Sequence, residues 1–128
     1  MWPAADYFVA LAPLTDQTYQ LFDAAAFRAM PNHAVIINVG RGPLVDTEAL
    51  VDALRSGQIA GAGLDVTDPE PLPDGHPLWE MPNVVITPHL ANPPYSVQRR
   101  IGAHAAKVME RFAAGEAIPT EVDIEAGY

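Results

Sequence analysis

Four short apolar runs punctuate the chain: residues 6–11 (DYFVAL), 34–39 (AVIINV), 60–66 (AGAGLDV) and 83–87 (NVVIT). Pro13 follows the first and Gly40 ends the second. Apolar runs without polar alternation read as strands buried on both faces, and the glycines of the third run let a neighbouring backbone come close. Helical periodicity fills the gaps. Residues 18–30 (TYQLFDAAAFRAM) read as two pieces, with Asp23 capping the second. In residues 46–57 (DTEALVDALRSG), Asp46 is the N-cap, Glu48 suits the first turn, Leu50, Val51 and Leu54 form one stripe, and Gly57 closes the helix. A longer helix is predicted from near Ser96 to Gly115, with Val97, Ile101, Ala105, Val108 and Phe112 on one face, before an irregular tail. Strand alternating with helix predicts an α/β fold with a parallel sheet of about four strands and right-handed crossovers. Ligands of such sheets sit at the carboxyl ends of the strands, which places the chemistry among residues 12–15, 40–45, 67–77 and 88–92.

Composition narrows the partners. With 128 residues, 49% of them hydrophobic, the chain has material for one core. A net charge of -9 repels nucleic acid. The absence of cysteine excludes disulfides and thiolate metal sites. No apolar run approaches the roughly 18 residues of a membrane span, and the N-terminus lacks a basic leader, so a soluble cytoplasmic protein without membrane partners is expected.

Titratable groups collect at the predicted strand ends: Arg41 in NVGRGPLVD, Asp65 and Glu70 in GLDVTDPEP, His89 in ITPHLAN. Singly, each has a bland reading, as a surface arginine, loop acids and a capping histidine. Together, at one end of adjacent parallel strands, they make an acid/base site with an anion clamp. The glycines on both sides of Arg41 imply that something approaches its backbone. The proline-rich stretch GLDVTDPEPLPDGHPLW is suited to holding side chains rigidly. Asp68 and Asp74 read as turn residues, His76 as structural with Trp79 packing under the loop, His33 as part of a helix-to-strand turn, and His104 as flanking the stripe of the last helix. No pair of histidines has ligand spacing with a carboxylate, so no metal is expected.

The ordered set of glycine-flanked arginine, GLDV, EP, HPLW and TPH resembles the NAD-binding domain of the D-isomer-specific 2-hydroxyacid dehydrogenases. The resemblance implies half of a doubly wound, Rossmann-like sheet with NAD or NADP as cofactor and a small 2-keto or 2-hydroxy acid as substrate. It assigns Arg41 to the substrate carboxylate and keto oxygen, His89 to acid/base transfer and Glu70 to pairing with His89. Asp65 would accept from the nicotinamide carboxamide, and the backbone of Val39 and Gly40 would line the same pocket. Ala12, Pro13 and Thr18 match cofactor-lining positions, and Ala91 matches a small residue after the histidine. Two features depart from the family. No GxGxxG phosphate turn occurs in the chain, and LANPPYS places two prolines beside the site, which bears on the helix start and on a cofactor contact at Asn92. The expectation is therefore a partial NAD(P)-binding domain over residues 1–128, lacking the substrate domain and first nucleotide-binding half. Its first strand would carry an unpaired edge that invites homo-oligomerisation or other association. A non-enzymatic interaction module using that edge, and a small anion-binding module at Arg41, are the alternative readings.

Overall fold

The computed structural model describes residues 2–125. Two compact units follow one another, the first ending at His89 and the second beginning at Leu90.

The first unit is a four-stranded parallel sheet, with β1 Tyr7–Ala10, β2 Val35–Asn38, β3 Gly61–Leu64 and β4 Val84–Ile86 hydrogen-bonded in the order in which they occur in the chain. The strands are shorter than the apolar runs that announce them, because chain leaves the ladder wherever a loop must start. Two helices complete the unit, α1 Ala24–Ala29 and α2 Thr47–Arg55. Both caps act as expected: Asp23 accepts from the Ala26 N–H and Asp46 from the Ala49 N–H. Gly57 leaves α2 with φ +70, a left-handed turn that glycine adopts without cost.

Register sorts the side chains into two faces. Phe8, Ile36 and Ala62 form one row and Ala10, Asn38 and Leu64 the next, all buried together with Phe27 of α1 and Leu50 and Leu54 of α2. On the opposite face Tyr7, Val9 and Val85 remain 69%, 49% and 66% exposed. This corrects the expectation of strands buried on both faces. Apolar runs record that both faces are meant to be covered, but among the described residues only one face is sealed.

A second correction concerns the first predicted helical piece. Residues 18–22 are not helical, because their backbone pairs with a later segment. Gln20 N–H donates to the Pro43 carbonyl, Phe22 N–H donates to the Leu44 carbonyl, and the Phe22 carbonyl accepts from Asp46 N–H. Phe22 enters the core through this bridge.

In the second unit α3 spans Pro94–Ala113. Pro93 caps it and Pro94 takes its first position, where a missing N–H is harmless, so the paired prolines start the helix two residues before Ser96. Gly115 closes it at φ +69. The predicted stripe lies open, with Ile101 61% and Phe112 76% exposed.

Candidate active site

The carboxyl ends of four parallel strands deliver the candidate residues. After β1 the chain passes through Ala12 and Pro13 into a loop locked by Thr18, whose hydroxyl donates to the Pro13 carbonyl at 2.6 Å and accepts from Thr15 N–H at 2.8 Å. The Thr18 side chain thus shapes the loop that carries the other two positions.

β2 leads through half-buried Val39 and Gly40 to Arg41. Here the approach implied by the flanking glycines is identified. A Cβ on Gly40 would crowd the Leu44 side chain and the Ala10 carbonyl, and one on Gly42 would overlap the Thr67 carbonyl, so the close neighbours are the protein's own core and main chain. Arg41 itself is exposed, and its Nη1 donates to the Gly40 carbonyl at 2.7 Å.

β3 leads directly to Asp65, a buried carboxylate whose backbone N–H donates to the Asn38 carbonyl at 2.9 Å and whose Oδ1 accepts from the Thr87 hydroxyl. The chain then enters the proline-rich stretch, with cis bonds before Pro69 and Pro71. Thr47, at the start of α2, anchors this stretch by donating to the Asp68 carbonyl at 2.6 Å. His76 accepts from Leu78 N–H and opens a short turn, as expected of a structural residue. Trp79 does not pack beneath the loop as expected. It is 51% exposed, lines a pocket, and its indole N–H donates to the Pro73 carbonyl.

β4 leads through Thr87 and Pro88 to His89, whose Nδ1 lies 2.7 Å from Oε1 of Glu70. With Glu70 as a carboxylate, Nδ1–H donates, which leaves Nε2 as the ring's other polar atom. Both side chains are about half exposed. His89 also adopts φ +55, a left-handed backbone that costs a non-glycine residue energy. The pair borders a cavity of about 430 Å³, also lined by Asp65, Thr67, Trp79 and Thr87. The structure therefore brings Asp65, Glu70 and His89 to one cavity and leaves Arg41 outside its lining, at the end of the next strand but one. Ala91 is exposed near the start of the second unit. His33 pairs with Asp6 and His104 with Thr120.

Two contributors escaped sequence reasoning. Thr87, within the TPH motif, orients Asp65. Asn38, an amide inside an otherwise apolar strand, bonds the Arg41 turn; a polar residue in a buried run is the signal that could have found it.

Comparison with known proteins identifies the family. Residues 1–91 match the model of the D-isomer specific 2-hydroxyacid dehydrogenase NAD binding domain. An uncharacterised Corynebacterium melassecola protein is 57% identical over the whole chain, which covers 42% of that protein. Thermofilum pendens glyoxylate reductase is 46% identical over 88% of this chain and 33% of its own. The crystal structure of a D-isomer specific 2-hydroxyacid dehydrogenase from Xanthobacter autotrophicus Py2, in complex with NADPH and MES, superposes with a TM-score of 0.88 at 44% identity, covering 97% of this chain and 50% of that one. The chain thus spans half or less of the length of these relatives. Sequence and fold converge, and the chain belongs to the D-isomer specific 2-hydroxyacid dehydrogenase family.

Proposed function

We propose that these residues form the proton-transfer and substrate-anion end of an NAD(P)-dependent dehydrogenase that interconverts a small 2-keto acid, of the glyoxylate or hydroxypyruvate class, and its D-2-hydroxy acid. The observation that carries this reading is the Glu70–His89 pair at 2.7 Å, held at the carboxyl end of a parallel sheet beside a cavity. The residues present suit one end of the cofactor. Asp65, buried at the cavity and oriented by Thr87, offers acceptor oxygens to a carboxamide, and Ala12, Pro13, Thr18, Val39 and Gly40 are the further positions of this unit assigned to its lining. The pyrophosphate end has no counterpart, because no GxGxxG turn occurs among the 128 residues.

When bound, the nicotinamide supplies or accepts the hydride. Arg41, always charged and able to form two parallel bonds, holds the substrate carboxylate and polarises the keto oxygen. His89 gives a proton from Nε2 to that oxygen in reduction and takes it from the hydroxyl in oxidation. Glu70 accepts from Nδ1, which fixes the ring's orientation and tautomer. β1 is an edge strand, and on the open face of the sheet its Tyr7 and Val9 stand 69% and 49% exposed; together these favour a second reading, in which the chain acts as an interaction module or associates with itself. Among the described residues no helix is long and apolar enough to cross a membrane, and a cytoplasmic setting is part of this proposal.

Calorimetric titration of the purified chain with NADH and NADPH, then glyoxylate and hydroxypyruvate, with solution mass measured on the same sample, tests the proposal. Keto-acid binding that responds to replacement of Arg41 supports it, with little turnover by the chain alone because the phosphate turn is missing. Folded protein that associates with concentration yet binds neither ligand supports the interaction module.

A further inference from the structure

We infer that Asn38 is a positioning residue for Arg41, its carboxamide setting the main-chain turn from which the guanidinium projects; this deepens, and rests on, the reading of Arg41 as the substrate-anion group. Asn38 ends β2 on the sealed face at 1% exposure, in a row with Ala10, Leu64 and Ile86. An amide in such a row is costly unless both of its polar ends are bonded. Both are, and both to the following turn: Oδ1 accepts from Gly40 N–H at 3.1 Å, and Nδ2 donates to the Arg41 carbonyl at 2.9 Å. One side chain therefore reads a donor before Arg41 Cα and an acceptor after it. A carboxylate could satisfy only the first, and an aliphatic side chain neither.

The turn is clamped from other directions too. The Ala10 carbonyl lies 3.0 Å from where a Cβ would sit on Gly40, and the Thr67 main chain fills that space at Gly42. The Thr67–Asp68 backbone then runs directly to Glu70, so the contact that fixes the Arg41 turn belongs to the stretch that carries the partner of His89. The main chain on both sides of Arg41 is closely packed, and the exposed Arg41 side chain carries one bond, from Nη1 to the Gly40 carbonyl. Bidentate binding of a carboxylate demands aligned N–H groups, and displacement of a catalytic group by about 1 Å is enough to weaken it severely.

The test is a titration of the ¹⁵N-labelled chain with glyoxylate, with and without NADPH, at a temperature where every variant is folded. Asn38→Ala removes both bonds; Asn38→Asp keeps the shape and the acceptor for Gly40 and serves if the first fails to fold. Each is made in the wild-type and Arg41→Lys backgrounds. The expected result is a loss of roughly five- to tenfold in glyoxylate affinity from either Asn38 change, shrinking to under about twofold beside Arg41→Lys, since Asn38 acts only through the arginine. Affinity within about twofold of wild type in the Asn38 variants, while Arg41→Lys is weakened, overturns the inference and leaves the proposed function standing. Equal losses in both backgrounds also overturn it, assigning Asn38 to the fold alone. Absence of glyoxylate binding by the wild type, or binding indifferent to Arg41→Lys, overturns the reading of Arg41 and this inference with it.

Discussion

The turn after β2 and the stretch from Thr67 to His89 present the two halves of the proposed site by opposite means. Around Arg41, position comes from main chain packed on main chain: the Ala10 and Thr67 carbonyls press on Gly40 and Gly42, and buried Asn38 bonds across the turn. Around His89, it comes from side chains, in a Glu70 contact about half open to water and an indole donating to a loop carbonyl. The difference teaches where chemistry and stability are separable. A change in the first region disturbs the fold before it reaches the reactive group, whereas in the second the reactive group can be altered and the fold left intact.

Substitutions ranked by effect can break that distinction. Gly42→Ala sets a methyl against the Thr67 carbonyl and is expected to cost about 3 kcal/mol or more of stability in chemical denaturation; a loss under about 1 kcal/mol would show the turn to be pliable. His89→Asn keeps a residue type that tolerates the left-handed backbone. In an assembled, active form of the enzyme it is expected to lower kcat by roughly 10²- to 10⁴-fold while the melting temperature holds; a parallel fall in stability would erase the contrast. Thr47→Val, which removes the hydroxyl bonded to the Asp68 carbonyl and thus a link between α2 and the proline-rich stretch, should cost about 1 kcal/mol. Smallest is Glu70→Gln, where the half-exposed pair predicts a change within roughly 0.5 kcal/mol; a large loss would mean that the stretch depends on its ion pair.

Local signals in the sequence carried far. Asp23 and Asp46 declare their helix starts within four residues, because a cap bonds its own first turn. The β-branched runs declare strands, and the EP and TPH motifs declare the pair that meets at 2.7 Å. What stayed hidden depends on segments distant in sequence. Residues 18–22 have helical composition, yet they pair with residues 43–46, and no local pattern announces that bridge. Gly42 shows that something comes close, but only the fold shows that it is Thr67. Apolar alternation was absent from β1, so the sequence could not say which of its faces lies open; register and the placement of α1 and α2 decide that Tyr7 and Val9 are the exposed ones.

The sequential order of the strands has a bearing on how the chain finds its shape. Neighbours in the sheet start only about 25 residues apart along the chain, so every ladder closes a loop of similar, modest length, and the entropy spent on closure is nearly the same at each step. Among the described residues no strand waits for a distant partner. These four strands can therefore pair in the order in which they are synthesised, with Glu70 already made when His89 emerges to meet it.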